Sequence, residues 1–135
     1  MSARGVLYLL MGDGLAVPLA VSIMTLRNWY SGPIAIVTEH DGRSRDAAIS
    51  ISNDQRLAPI EVKPVLSALA AYGDWYLIKP RLPQLTPFDS TVYLDCDTLV
   101  VCGISELWPV ADEVVLTKRF SGLTTDLKMR LRCDS

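Results

Sequence analysis

Two aspartates separated by one residue, Asp95-Cys96-Asp97, close an apolar stretch, Thr91-Val92-Tyr93-Leu94. On an extended segment, side chains at i and i+2 lie on the same side, so the two carboxylates can share one divalent cation. Mg²⁺ or Mn²⁺ takes a few carboxylates together with phosphate oxygens and water, so such a cation bridges readily to a diphosphate. The tripeptide alone carries little weight. With 11 aspartates in 135 residues, chance predicts about 0.9 such pairs. Its position carries more, because a carboxylate pair ending a strand has no structural role that serine or asparagine would not fill as well.

Other residues qualify less readily. Gly12-Asp13-Gly14 follows an apolar run, but a G-x-G-x-x-G dinucleotide pattern would need glycine where Val17 stands. A tight turn remains, at which backbone can approach a ligand beside a helix start, or at which Asp13 caps the helix. His40, between Glu39 and Asp41, reads as a solvated loop residue before it reads as a metal ligand. Lys79, between Ile78 and Pro80, could reach a phosphate as a point charge. The three cysteines, Cys96, Cys102 and Cys133, form no C-x-x-C pair; with a single histidine they predict neither a zinc site nor a disulfide framework, and a reducing, cytoplasmic compartment.

The elements that position these groups follow from apolar patterning. Residues 6–11 are continuously apolar, as in a strand buried on both faces, and too short for the apolar core of a signal peptide. Leu15, Leu19, Ile23, Leu26 and Tyr30 recur at helical spacing, with Pro18 near the start and Gly32-Pro33 as a stop. Residues 34–38 form a second buried strand, so the chain opens β–α–β, by default parallel with a right-handed crossover. Residues 43–54 read as an exposed helix, although Ile49-Ser50-Ile51-Ser52 alternates like a strand. A short strand at 60–62, an apolar helix at 65–72, helical turns between 76 and 88, and strands at 91–94 and 114–116 follow. Leu99-Val100-Val101 could prolong the strand that ends at the aspartates, and residues 104–108 read as a helical turn. The expected fold is α/β, Rossmann-like, a mostly parallel sheet flanked by helices in one domain over residues 1–135.

Composition narrows the function. Half the residues are hydrophobic and 21% are charged, which excludes disorder. The net charge of −2 leaves no basic stripe for nucleic acid. The longest uncharged run, residues 14–26, falls short of the ~20 residues of a membrane helix, so no membrane span is expected.

Taken in its context, Thr91-Val92-Tyr93-Leu94-Asp95-Cys96-Asp97-Thr98-Leu99-Val100 resembles the signature of glycogenin-like, nucleotide-sugar-dependent glycosyltransferases with the glycosyltransferase A fold. Lys79 and Leu85-Thr86-Pro87-Phe88 resemble the family's lysine-bearing lead-in, and residues 104–108 its I-x-x-L-(F/W) segment. The resemblance covers about residues 5–118, with 42–75 matching in outline. It implies that Asp95 and Asp97 bind Mn²⁺ or Mg²⁺ with the diphosphate of a nucleoside-diphosphate sugar, a UDP-sugar by preference. It further implies that Asp95 approaches the ribose, that the backbone at Cys96 lines the pocket, that Lys79 sits near the nucleotide, and that Met11, Gly12 and Asp13 hold the base. The reaction implied is sugar transfer to an acceptor hydroxyl.

Two departures qualify it. Gly14 and Leu15 stand where relatives carry an aromatic for base stacking, and the family's later histidine and acceptor-holding segments have no counterpart within residues 1–135. The expectation is therefore an N-terminal donor-binding half, able to bind a donor without turnover by itself, with exposed edges that invite self-association. Two alternatives stand beside it: a non-catalytic nucleotide-sugar-binding module, and a haloacid dehalogenase-type phosphohydrolase. The latter's D-x-D-x-(T/V) pattern meets leucine at position 99 and ordinarily opens its domain.

Overall fold

The computed structural model describes residues 4–12, 14–40, 42–65, 78–108, 113–117 and 128–132. Strand β1 (Arg4–Leu10), helix α1 (Ala16–Arg27), β2 (Ile34–Thr38), α2 (Arg43–Ser52) and β3 (Ile60–Pro64) alternate. A 3₁₀ turn (Lys79–Arg81), a one-turn helix (Leu82–Leu85), β4 (Ser90–Tyr93) and a second 3₁₀ turn (Ser105–Leu107) follow. Strands β1 to β4 form a parallel sheet in the order β3-β2-β1-β4. Strands β5 (Glu113–Thr117) and β6 (Lys128–Arg132) form a separate antiparallel pair.

Alternation along β1 divides the core. Val6, Tyr8 and Leu10, with Ile34, Ile36 and Val92, pack on Leu19, Ile23 and Leu26 of α1 and Ala48 of α2. Leu7 and Leu9, with Ala35 and Val37, pack on Val65, Ile78 and Leu82 across the other face. Covering both faces is what makes β1 and β2 continuously apolar rather than alternating. The two helices α1 and α2 flank one face, and Val65, Ile78 and Leu82, from the described ends of the connection to β4, cover the other. The strand order thus reverses direction between β1 and β4, the point at which open α/β sheets take their ligands.

Two devices fix the frame. At the C-terminus of α1 the Arg27 guanidinium donates to four carbonyls: Leu57 (2.8 Å), Tyr30 (3.2 Å), Gly32 (2.7 Å) and Pro59 (3.0 Å). It ties the helix end to the segments entering β2 and β3, and its charge suits a helix C-terminus. Burial lowers its pKa. In β1, a Cβ on Gly5 would run into the Phe88 ring, so only glycine lets the segment before β4 close on the sheet.

The helix expected over 43–54 is α2, and residues 49–52 belong to it despite their strand-like alternation. Most of the expected elements are likewise present, with three differences. Residues 99–101 do not extend β4, which ends at Tyr93. The aspartates lie beyond the strand, in a turn. Residues 128–132, to which the sequence patterning assigns no element, pair with β5. Of the helix expected at 65–72, all but Val65 lies outside the described residues. No helix among the described residues is long and apolar enough to cross a membrane.

Candidate functional site

The last ladder bond beyond β4 runs from the Leu94 amide to the Leu7 carbonyl (3.0 Å). The chain then turns. The Asp95 carbonyl accepts from the Thr98 amide (3.2 Å) and from the Thr98 hydroxyl (2.7 Å), closing a tight loop. Cys96 points inward, 3% exposed, and its thiol donates to the Leu9 carbonyl at 3.0 Å. With Cys96 buried, Asp95 and Asp97 both emerge at the surface. The backbone that carries them is a turn anchored by the cysteine between them, not the extended segment on which the i, i+2 expectation rests.

The loop is also fixed to α1. The Tyr8 hydroxyl meets the Ser22 hydroxyl at 2.8 Å, and Ser22 meets the Thr98 hydroxyl at 3.1 Å. One helical turn on, the Thr25 hydroxyl donates to the Ser22 carbonyl (2.8 Å) and accepts from the Val100 amide (3.0 Å). A line of hydroxyls thus runs from the centre of β1 through the helix to the carbonyl of Asp95.

On the opposite side of the loop stands Lys79. Its neighbour Ile78 is buried in the second core cluster, and Lys79 opens the 3₁₀ turn at the surface. The ammonium lies 3.2 Å from Asp95 Oδ1, with both side chains about half exposed, 48% and 49%. The same oxygen accepts from the Tyr93 hydroxyl at 2.8 Å. Burial, then the bond to Asp95, drives the Tyr93 pKa far above its usual value, so the phenol remains a donor. Burial, then the charges of Asp95 and Asp97, push the Cys96 thiol up to about 12. At the end of β1, Gly12 adopts φ +68° with open space on its Cβ side, which lets the chain leave the sheet edge without an obstructing side chain.

The residues singled out from the sequence therefore fall into three groups. Asp95, Asp97 and Lys79 gather around one loop, with Cys96 beneath it. Met11 and Gly12 follow the end of the adjacent strand β1. Asp13 lies outside the described residues, and His40 is exposed after β2, on the far side of β1 from the loop. Sequence reasoning passed over Tyr93, Ser22 and Thr98. Tyr93 was legible as the residue two before Asp95; Ser22 was legible as the one polar residue among the buried positions of α1.

Asp95 and Asp97 are hard oxygen donors of the kind Mg²⁺ and Mn²⁺ accept. Among the described residues no group of three or more His, Cys, Asp or Glu side chains is gathered to hold a metal ion. Two carboxylates suit a cation that completes its coordination with phosphate oxygens and water.

No protein-family model and no curated protein matches the sequence. Solved structures do match in fold. The apo-form glycosyltransferase GlyE of Streptococcus pneumoniae TIGR4 superposes with a TM-score of 0.63 at 13% identity, over 97% of this chain and 34% of that one. An active-site mutant of LgtC gives 0.59 at 14% identity, over 82% and 44%. The galactosyltransferase LgtC in complex with donor and acceptor sugar analogs gives 0.56 at 13% identity, over 76% and 41%. The chain thus has a glycosyltransferase-type α/β fold and spans between a third and a half of the length of these enzymes.

Proposed function

We propose that this chain is the donor-binding part of a metal-dependent glycosyltransferase, with a nucleoside-diphosphate sugar, a UDP-sugar by preference, as its ligand. The observation that carries the reading is the convergence of Lys79 and the Asp95–Asp97 loop beside β1, where the strand order reverses in a sheet of glycosyltransferase type. In this reading Asp95 and Asp97 hold Mn²⁺ or Mg²⁺, which neutralises charge on the departing diphosphate. Lys79 supplies a further positive charge to the diphosphate. Met11, Gly12 and Asp13 line the base, Gly12 leaving room for close approach. The backbone at Cys96 lines the pocket floor, and Tyr93 orients the Asp95 carboxylate by hydrogen bond. The reaction of the complete catalyst is transfer of the sugar to an acceptor hydroxyl, in which the acceptor must be held in the same frame as the donor.

Replacing Asp97 with asparagine keeps shape and removes charge. In calorimetric titrations of UDP with and without Mn²⁺, Asp97→Asn should weaken the Mn²⁺-dependent affinity at least about tenfold, or ~1.4 kcal/mol, without weakening the metal-free affinity. Identical curves for the two proteins would remove Asp97 from the metal site.

A further inference from the structure

The Lys79–Asp95 pair sets a condition on metal entry. Asp95 Oδ1 already receives two donors, an ammonium at 3.2 Å and a phenol at 2.8 Å. A dication bound to the same carboxylate would face the ammonium across it, and like charges at that separation repel. The pair is half exposed on both sides, so parting it sacrifices little. Lys79 can also move without disturbing the fold. Its backbone is pinned by Ile78 and Leu82, buried in the core on either side (3% and 5% exposed), while its stem is long and flexible.

We infer that Lys79 is an exchangeable counter-ion: it neutralises Asp95 while the site is empty, opposes a metal ion that arrives alone, and transfers to the diphosphate when metal and nucleotide arrive together. This rests on the reading of Asp95 and Asp97 as metal ligands and adds a cause for ordered loading. The charges are Asp95 and Asp97 against Lys79. Metal alone makes the cluster net positive around a displaced ammonium, and nucleotide alone confronts two carboxylates. With both present, the diphosphate takes the ammonium that the metal has released. Lys79 therefore weakens metal binding in the absence of nucleotide and strengthens nucleotide binding in the presence of metal, and linkage makes this one coupling constant.

The experiment measures Mn²⁺ binding by the loss of its free-ion electron paramagnetic resonance signal, with and without UDP. It uses the 135-residue chain, Lys79→Met, Lys79→Arg and Tyr93→Phe, each checked for folding by circular dichroism. Lys79→Met keeps the stem and removes the charge. It should bind Mn²⁺ alone about threefold more tightly and Mn²⁺ with UDP about threefold more weakly, cutting the coupling about tenfold. Lys79→Arg should retain the coupling. Tyr93→Phe removes a hydrogen bond and no charge, so it should shift both affinities in the same direction and leave their ratio unchanged. If the parent chain shows coupled Mn²⁺ and UDP binding and Lys79→Met keeps the same coupling, the counter-ion role falls while the metal site stands. A Lys79→Met that changes only thermal stability falls in that class, a structural salt bridge. If no protein in the set binds Mn²⁺ with or without UDP, the metal site and the counter-ion role fall together.

Discussion

Cys96 and Cys102 offer a thiol reagent opposite prospects. Cys102 is exposed, whereas Cys96 is buried, donates to the Leu9 carbonyl, and has its pKa pushed up to about 12. Because the thiolate is the nucleophile, Cys96 is inert at pH 8 by both access and ionisation. Iodoacetamide at pH 8 should alkylate Cys102 and spare Cys96 until urea is added, read by tandem mass spectrometry of the peptide that carries both. Equal rates would mean that the loop is not anchored by the cysteine. At this scale the sequence disclosed the charged groups and concealed their supports. A D-x-D spacing is visible in one dimension. The partners of Asp95 are less so, because Lys79 reaches it from a separate segment and Thr98 acts through a carbonyl rather than a side chain. The reading of Cys96 as backbone lining missed the thiol, which holds the loop down.

Helix α1 and the loop after β4 depend on each other through Ser22. Ser22→Ala removes the partner of the buried Tyr8 hydroxyl, and an unsatisfied buried hydroxyl costs about 1–3 kcal/mol. Adding Tyr8→Phe removes the orphaned group as well. In urea unfolding the double variant should therefore be less destabilised than the sum of the single variants, with Ser22→Ala alone among the larger losses. Additive effects would show that the hydroxyls are not coupled. Elements were legible where burial was uniform. Strands β1 and β2 are built on short apolar runs, and β2 is buried along its whole length, Ile34–Thr38. The alternation at Ile49-Ser50-Ile51-Ser52 competed with the helix expected there and did not prevail: in α2 it is Ala48 that is buried while Ile51 is only partly covered, a helical arrangement that a period of two imitates over four residues. The apolar Leu99-Val100-Val101 suggested more strand. Instead Thr98 caps the Asp95 carbonyl and turns the chain, leaving Leu99 and Val101 exposed at 65% and 78%.

For the molecule as a whole, the buried thiol and phenols fix how stability responds to alkali. Cys96 shifts from an ordinary 9.0 to about 12, and Tyr8 from 10.0 to about 12, both chiefly through burial. Tyr93 and Tyr30 are raised in the same sense. Because the folded values lie above the unfolded ones, the unfolded chain releases these protons first. Their contribution is complete below pH 9 and is lost as pH rises toward 12. Stability should fall by about 1.4 kcal/mol per pH unit above pH 9 from Cys96, and about three times as steeply above pH 10 once Tyr8 and Tyr93 join. Urea titrations at pH 7, 9, 10 and 11 test this, and Cys96→Ala should abolish the loss between 9 and 10. The α/β class and its parallel sheet could be read from the sequence because strand and helix patterns alternate. The order β3-β2-β1-β4 could not, since the neighbour of β1 on its free edge comes from far along the chain.

That distance governs the sequence of events as the chain folds. Strands β1 and β2 meet across a single helix, whereas the Cys96–Leu9 and Ser22–Thr98 bonds close spans of 87 and 76 residues. Long closures come late, because their entropy is lost before their contacts form. The unit from β1 to β3 should be the nucleus and β4 with its loop the final addition. Stopped-flow chevrons then have distinct signatures: Ile36→Val slows refolding, while Val92→Ala leaves refolding nearly unchanged and hastens unfolding. On this order the carboxylate loop forms after the transition state, and any ligand held there should slow unfolding without speeding the search for the fold.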